Sequence, residues 1–172
     1  MRGPVYLVGM MASGKSTIGK LLARRLGRPF LDLDQAVERR ARMSVARVFA
    51  TRGERHFRRV EALALKAASK RSELVVATGG GAVIRAANRL LLKRGVVVYL
   101  RARPAKILAR VPLEQLHARP LLAKGPLAAL KKLRALRGPL YREVAAVTQN
   151  AELPRARVLS ALLRRLKSLG VS

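Results

Sequence analysis

The sequence predicts an α/β fold in which helices cover both faces of a parallel β-sheet. Three observations support this class. Short apolar runs alternate with stretches of helical periodicity, a glycine-rich loop joins the first run to the first helix, and half of the 172 residues are hydrophobic. A chain of this length and composition can bury one core, so a single domain over residues 1–172 is expected.

The first half of the chain has two strand patterns and a long helical region. Val5–Val8 is an apolar run ended by Gly9, which is typical of a buried parallel strand. Residues 15–26 have apolar side chains at helical spacing, and Gly27 is placed to end that helix. The pattern continues with a strand at residues 30–33 and a helical stretch over residues 35–69 that breaks near residues 51–53.

The second half continues the alternation. Residues 74–78 are mostly β-branched and run into three glycines, so they predict a third strand. The run "VVVYL" at residues 96–100 predicts a fourth strand. Three prolines and a glycine predict a loop at residues 112–126. The other predicted elements are helices at residues 87–95, 126–136, 140–146 and 155–169, and a short strand at residues 146–148.

The charge of the chain is strongly unbalanced. It contains 37 Lys and Arg residues against 9 Asp and Glu residues, a formal net charge of +28. This excess predicts affinity for polyanions. The basic residues are spread along the whole chain, however, and the aromatic residues that could stack on nucleic-acid bases make up only 3%. We interpret the charge as a solvated basic surface, and we expect no specific nucleic-acid partner.

The cysteine content and the lengths of the apolar runs limit the kinds of site and the cellular location that are expected. The chain has no cysteine, which excludes disulfides and thiolate metal sites. No apolar run reaches the ~20 residues that a bilayer span requires. A cytoplasmic protein without membrane association is therefore expected.

Residues 9–16, "GMMASGKS", match the phosphate-loop pattern G-x-x-x-x-G-K-[ST] between a predicted strand and a predicted helix. In this pattern backbone N–H groups and a helix N-terminus surround phosphates. The lysine reaches the β- and γ-phosphates, and the hydroxyl binds Mg²⁺ directly. The loop alone does not separate a kinase from an ATPase, a GTPase or a nucleic-acid motor. The residues expected to contact ATP are Ala12, Ser13, Gly14, Lys15, Ser16 and Thr17, with Ser16 also binding Mg²⁺.

Asp32 and Asp34, the two aspartates of the chain, follow the second predicted strand. Ligands of open α/β sheets lie outside the carboxyl ends of the strands. Residues two apart on an extended chain point to the same side, so both carboxylates are expected beside the phosphate loop. One could hold the waters of Mg²⁺ while the other binds or deprotonates a hydroxyl. The alternative is that Asp34 only caps the following helix.

Three glycines, Gly79, Gly80 and Gly81, end the third predicted strand on the same rim of the sheet. Glycine lets a ligand approach the backbone closely. The triplet is therefore a candidate for substrate contact, and the alternative is a flexible turn.

These motifs together resemble the shikimate kinase family over nearly the whole chain. The resemblance rests on six segments in family order, "GMMASGKSTIG", "LDLDQAVE", "FATRGERHFRRVE", "VVATGGGAV", "RPLL" and "RGPLYREVA". It implies a five-stranded parallel sheet, as in the nucleoside monophosphate kinases. It also implies transfer of the γ-phosphate of ATP, with Mg²⁺, to the 3-hydroxyl of shikimate. The products would be ADP and shikimate 3-phosphate, on the route to chorismate and the aromatic amino acids.

The resemblance also implies roles for the matched residues. Asp34 would bind the shikimate hydroxyls beside the transferred phosphate and could act as the base. Asp32 would hold Mg²⁺ through water. Arg58 and Arg137 would bind the shikimate carboxylate, a task that suits the bidentate guanidinium group. The implied backbone contacts to shikimate are Gly79, Gly80 and Gly81.

A short lid around residues 111–125 is also implied. Arg119 would close over the phosphates as a catalytic residue with Lys15 and Asp34, and Arg110 would be a second nucleotide-facing arginine. Phe49 and Phe57 are either an apolar wall of the substrate pocket or core residues. The enzyme is expected to be a monomer.

Two other functions remain open from the residues alone. One is a different small phosphate-loop kinase acting on a nucleotide or on gluconate, which also carries a carboxylate and hydroxyls. The other is a nucleic-acid-binding phosphate-loop protein, which the positive charge would favour. The second alternative has no need for the set formed by Asp34, Arg58 and Arg137.

Overall fold

The computed structural model of the chain describes residues 3–111 and 125–171. Its centre is a five-stranded sheet with the order β2-β3-β1-β4-β5, and every paired strand is parallel to its neighbour. The predicted α/β class and parallel sheet are therefore confirmed. The strands are β1 (Val5–Val8), β2 (Phe30–Asp32), β3 (Val75–Ala77), β4 (Val96–Arg101) and β5 (Val147–Asn150).

The middle strands are buried on both faces. Every residue of β1 is fully buried, and Val5 lies between Val75 of β3 and Val96 of β4 in the parallel register. Such strands have no solvent face, which explains why they are continuous apolar runs and not alternating patterns. The carboxyl ends of the parallel strands share one rim, where the loops that follow β1 and β3 meet the residues that follow β2.

Seven helices in the described ranges surround the sheet. They are α1 (Lys15–Arg25), α2 (Leu33–Ala41), α3 (Val45–Ala68), α4 (Ala86–Leu92), α5 (Pro104–Leu108), α6 (Pro126–Val144) and α7 (Arg155–Ser168). None of these helices is long and apolar enough to cross a membrane.

The region after β2 differs from the predicted pattern. The strand ends at Asp32 and α2 begins at Leu33, so the helix starts two residues earlier than predicted. The helical stretch also breaks at Arg42, which adopts a left-handed conformation, and Ser44 caps the start of α3. The predicted break near residues 51–53 is confirmed inside α3, where Gly53 has non-helical dihedral angles.

Helix α6 replaces the two helices predicted at residues 126–136 and 140–146. It is continuous although Pro139 lies inside it. Proline removes one backbone hydrogen bond of a helix, but α6 buries Leu130, Arg137, Tyr141 and Val144 along one face. Packing of that face stabilises the continuous helix. Helix α5 was not predicted, because a short helix that begins at a proline gives only a weak pattern. The predicted loop at residues 112–126 lies mostly outside the described residues.

Two acidic residues connect neighbouring elements. Glu38 of α2 accepts a hydrogen bond from Val45 N at 2.9 Å and so connects α2 to α3. Glu143 of α6 forms an ion pair at 2.9 Å with Arg89 of α4. Within residues 3–111 and 125–171, the acidic residues that accept hydrogen bonds or form ion pairs include Asp32, Glu38, Glu54, Glu61, Glu143 and Glu152.

Candidate active site

The phosphate loop runs from the end of β1 to the start of α1, as its motif predicts. Gly9 has a φ of 144°, and a Cβ at this position would lie 2.6 Å from Leu100 O of β4. Only glycine fits so close to a neighbouring strand. Gly14 is the N-cap of α1 in a left-handed conformation, which leaves the N-terminus of α1 facing the loop.

Lys15 is the first residue of α1, and it points back across the loop. Its Nζ donates hydrogen bonds to Gly9 O at 3.0 Å and to Met10 O at 2.7 Å. Lys15 is buried, so its charge lies in the concave part of the loop. A phosphate group that enters the loop would meet this ammonium group together with the backbone N–H groups.

Ser16 and Asp32 are in direct contact at the mouth of the loop. Ser16 Oγ donates a hydrogen bond to Asp32 Oδ2 at 2.6 Å. The other carboxylate oxygen of Asp32 accepts from Asp34 N at 3.1 Å and from Gln35 N at 3.4 Å, so Asp32 is the N-cap of α2. The capping alternative considered for Asp34 therefore applies to Asp32 instead.

Asp34 lies in the first turn of α2 and not on an extended strand, so the reasoning from strand periodicity was wrong for this residue. The turn nevertheless directs its carboxylate to the same rim. A Cβ on Gly79 would lie 2.7 Å from Asp34 Oδ1. Burial raises the pKa of Asp34, the charge of Lys15 opposes that change, and the charge of Asp32 adds to it.

The glycine triplet lies between the acidic side and the basic side of the rim. A Cβ on Gly79 would lie 2.7 Å from both Asp34 Oδ1 and Glu61 Oε1, and one on Gly81 would lie 2.5 Å from Arg58 Cζ. Side chains are therefore excluded from this loop by the groups on either side of it. The triplet is a packed part of the site, which disfavours the flexible-turn alternative.

Arg58 of α3 is held by two glutamates. Its Nη1 donates to Glu61 Oε2 at 2.8 Å, and its Nη2 donates to Glu54 Oε1 at 3.1 Å. Glu61 is fully buried, and its Oε1 has no hydrogen-bond partner in the described part of the chain. Burial raises the pKa of Glu61, and the charge of Arg58 opposes that change.

Phe49 and Phe57 form the apolar support beneath Arg58. Their ring centroids are 4.6 Å apart, and Arg58 Cζ lies 5.1 Å from the centre of the Phe57 ring. Phe57 is buried in the core, whereas Phe49 is partly buried and packs against it. Of the two alternatives, a core position therefore describes Phe57 well.

Arg137 and Tyr141 of α6 reach the triplet from the opposite direction. Arg137 Nη1 donates to Gly80 O at 3.4 Å, and the Tyr141 hydroxyl donates to the same oxygen. Both residues are buried. Arg137 was predicted from the sequence as a site residue, whereas Tyr141 was not. Its position four residues later, on the same helical face, was the available signal.

A cleft of about 710 Å³ opens beside the phosphate loop. Arg110 is part of its wall, and Arg110 Nη2 donates to Ala151 O at 2.8 Å. The opposite wall follows β5, a segment that carries no recognisable motif and that the sequence analysis left unassigned. The lining residues are Ala12, Ser13, Gly14, Lys15, Ser16, Thr17, Ile18, Arg110, Ala151, Glu152, Leu153, Pro154, Arg155 and Val158. The predicted lid residue Arg119 lies outside the described residues.

The donors at the loop mouth fit one kind of metal. Within residues 3–111 and 125–171, no group of three or more His, Cys, Asp or Glu side chains could enclose an ion. Mg²⁺ does not need such a cage, because it is commonly held by few protein oxygens together with water and substrate phosphates. The Ser16 hydroxyl and the Asp32 carboxylate supply oxygens of that kind beside the place where phosphates would bind.

Comparisons with known proteins agree with one another. A family model described as shikimate kinase matches residues 11–167. The shikimate kinase of Bordetella pertussis is 45% identical over 168 residues, which cover 96% of this chain and 79% of the relative. That of Symbiobacterium thermophilum is 48% identical over 145 residues, which cover 83% of both chains. A solved shikimate kinase from Acinetobacter baumannii, in complex with shikimate, matches with a TM-score of 0.92 and 40% identity over 99% of this chain and 96% of that one. This chain belongs to the shikimate kinase family.

Proposed function

We propose that the protein transfers the γ-phosphate of ATP to the 3-hydroxyl of shikimate, giving ADP and shikimate 3-phosphate. The observation that carries this proposal is the polarity of the rim around the glycine triplet. Asp34 lies against Gly79 at one end of the triplet, Arg137 contacts Gly80 in the middle, and Arg58 lies against Gly81 at the other end. Shikimate has the matching arrangement, with hydroxyls on one side of its ring and a carboxylate on the other. Shikimate 3-phosphate lies on the route to chorismate and the aromatic amino acids.

Arg58 and Arg137 bind the carboxylate in this proposal. Each guanidinium can donate two parallel hydrogen bonds to a carboxylate, and two such groups fix its orientation. The ion pairs of Arg58 with Glu54 and Glu61 restrict its rotamer before substrate arrives. The carboxylate therefore meets a clamp that is already ordered, which reduces the entropy lost on binding.

Asp34 binds the acceptor hydroxyl and aims it at the γ-phosphate. Phosphoryl transfer depends mainly on positioning and on stabilisation of charge, and Asp34 supplies the first of these for the acceptor. Its raised pKa follows from burial. A less acidic carboxylate is a better proton acceptor when the hydroxyl begins to attack.

ATP occupies the cleft with its phosphates in the loop and its base toward Ala151 and Pro154. Lys15 and the N-terminus of α1 bind the phosphates, and Arg110 lines the same cleft. Ser16 would bind Mg²⁺ directly and Asp32 would bind it through water. When bound, Mg²⁺ supplies charge compensation for the phosphates.

Several expectations from the sequence stay predictions. Closure of a lid by Arg119, a monomeric state, a cytoplasmic location and the lack of a specific nucleic-acid partner belong to this group. The lid would exclude water that otherwise hydrolyses ATP. Arg119→Gln is expected to lower turnover with shikimate by impairing that closure.

ADP release with ATP and Mg²⁺ tests the proposed function. The acceptors are shikimate, gluconate and nucleoside monophosphates, each added in turn, with an acceptor-free control. We expect turnover that requires shikimate. Turnover only with another acceptor would support a kinase activity but would reject shikimate as the substrate. Release that needs no acceptor and rises with DNA or RNA would favour the nucleic-acid alternative.

A further inference from the structure

The carbonyl oxygen of Gly80 is held by two residues of α6. The Tyr141 hydroxyl and Arg137 Nη1 both donate to this oxygen, the arginine at 3.4 Å. A carbonyl oxygen has two lone pairs, and both are used here. The two donors lie four residues apart on one helix, so they approach the loop from the same face.

The position of the Tyr141 hydroxyl is set by the protein core. Tyr141 is fully buried, and its ring stacks on Tyr99 of β4 with the ring centroids 5.0 Å apart. Burial raises the pKa of Tyr141, so the hydroxyl keeps its proton and remains a donor at neutral pH. The sheet therefore fixes this contact before any ligand binds.

The bond from Arg137 is the weaker of the two. Its distance of 3.4 Å lies beyond the usual range for N–H···O bonds. Without the tyrosine hydroxyl, Gly80 O would lose its shorter bond, and Arg137 is the donor that could move closer to replace it. That movement would draw the guanidinium toward the loop and away from a ligand.

The same loop also contacts Arg58, the second arginine of the proposed carboxylate site. A Cβ on Gly81 would lie 2.5 Å from Arg58 Cζ, and Arg137 donates to Gly80 O, so the Gly80–Gly81 segment contacts both guanidinium groups. A hydrogen bond that fixes the Gly80 carbonyl therefore acts on a segment that both arginines contact, and two groups that share one carboxylate depend on where that segment lies.

We infer that Tyr141 is a positioning residue for the carboxylate of the acceptor. Its hydroxyl supplies the shorter hydrogen bond to Gly80 O, so Arg137 makes only a long contact there and keeps its other N–H groups for the substrate. This inference rests on the proposed function, since it assumes that Arg58 and Arg137 bind the shikimate carboxylate.

Tyr141→Phe tests the inference, with Tyr99→Phe as its matched control. Each change removes one hydroxyl from the same buried ring pair, but no protein group in the described ranges forms a hydrogen bond with the Tyr99 hydroxyl. We expect Tyr141→Phe to raise the KM and the calorimetric Kd for shikimate by about tenfold, the scale of one lost hydrogen bond to a buried acceptor. The KM for ATP and the kcat should stay within about twofold, and Tyr99→Phe should resemble the wild type.

A double-mutant cycle with Arg137→Lys separates positioning from general support. If Tyr141 acts through Arg137, Tyr141→Phe adds little to the Kd for shikimate in the Arg137→Lys background. A purely structural role would add the same loss in both backgrounds and would overturn the inference. So would an unchanged shikimate Kd, an equal rise in the KM for ATP, or a Tyr141→Phe protein that fails to fold while Tyr99→Phe folds. Absence of shikimate-dependent turnover in the wild type would instead reject the proposed function.

Discussion

Gly79→Ala tests whether the glycine triplet sets the position of the acidic side of the site. The backbone accepts alanine, because Gly79 is not among the residues with a positive φ. The added methyl group, however, has no room at this position. Its carbon would lie 2.7 Å from Asp34 Oδ1 and 2.7 Å from Glu61 Oε1, and Cβ atoms of folded proteins essentially never approach other atoms so closely.

The size of the effect follows from the displacement that the methyl group requires. Ordinary van der Waals contact begins at 3.4 Å, so each carboxylate oxygen must retreat by about 0.7 Å. Misplacement of a reacting group by about 1 Å costs about 100-fold in rate. We therefore expect kcat to fall by about 10- to 100-fold, which corresponds to about 1.4 to 2.7 kcal/mol of transition-state stabilisation.

Steady-state ADP release at saturating ATP and shikimate is the assay, and Gly138→Ala is the matched control. Gly138 lies inside α6, where an added Cβ would be no closer than 3.6 Å to its nearest neighbour. This control should keep wild-type kcat and gain stability, since alanine is favoured over glycine in a helix by about 1 kcal/mol. A Gly79→Ala enzyme with kcat within twofold of the wild type would refute the reasoning. Asp34 would then act from a position that the triplet does not determine.

Other perturbations give distinct outcomes. Asp34→Asn should abolish turnover while the calorimetric Kd for ATP stays within about twofold. Because burial raises the folded-state pKa of Asp34 above 3.8, its ionisation destabilises the fold at neutral pH; the Asn variant should have the higher Tm at pH 7, and this gain should vanish below pH 3.8. Arg58→Lys or Arg137→Lys should raise the KM for shikimate, since lysine lacks the bidentate fork, and an unchanged KM would argue against the carboxylate clamp. Asp32→Ala should lower the free energy of unfolding by about 1 kcal/mol through loss of the N-cap and raise the Mg²⁺ concentration needed for activity. Ser16→Ala should also raise the Mg²⁺ requirement but should cost less stability, because it leaves the N-cap of α2 in place, and equal requirements in wild type and both variants would reject this metal assignment.

The sequence predicted the parts of the fold that depend on short-range pattern. The strand before Gly9, the loop that follows it and the helix from Lys15 form one continuous signal, and all three lie where the motif requires. The break at Gly53 was predictable because glycine is the residue that tolerates a positive φ within a helical stretch.

The sequence predictions differ from the structure where tertiary contacts determine the conformation. Asp32 is both the last residue of β2 and the N-cap of α2, so the strand passes into the helix without a loop that the sequence could mark. Pro139 suggested a boundary, but the buried face of α6 overrides the lost backbone bond. For the site, Arg58 and Arg137 could be singled out only by motif context in a chain with 37 basic residues. The cleft wall at residues 151–155 carries no motif, so no signal in the sequence marked it.

The hydrogen bonds and ion pairs of the acidic residues restrict which substitutions this sequence can accept. An exposed basic residue has many equivalents on the surface, so its replacement changes the net charge by one unit and leaves the structure unchanged. The acids have no such redundancy. Glu38 joins two helices, Asp32 caps one of them, and Glu54 and Glu61 hold Arg58. A mutational scan should therefore show that exposed arginines outside the site tolerate replacement, whereas these acids and the site arginines Arg58 and Arg137 do not.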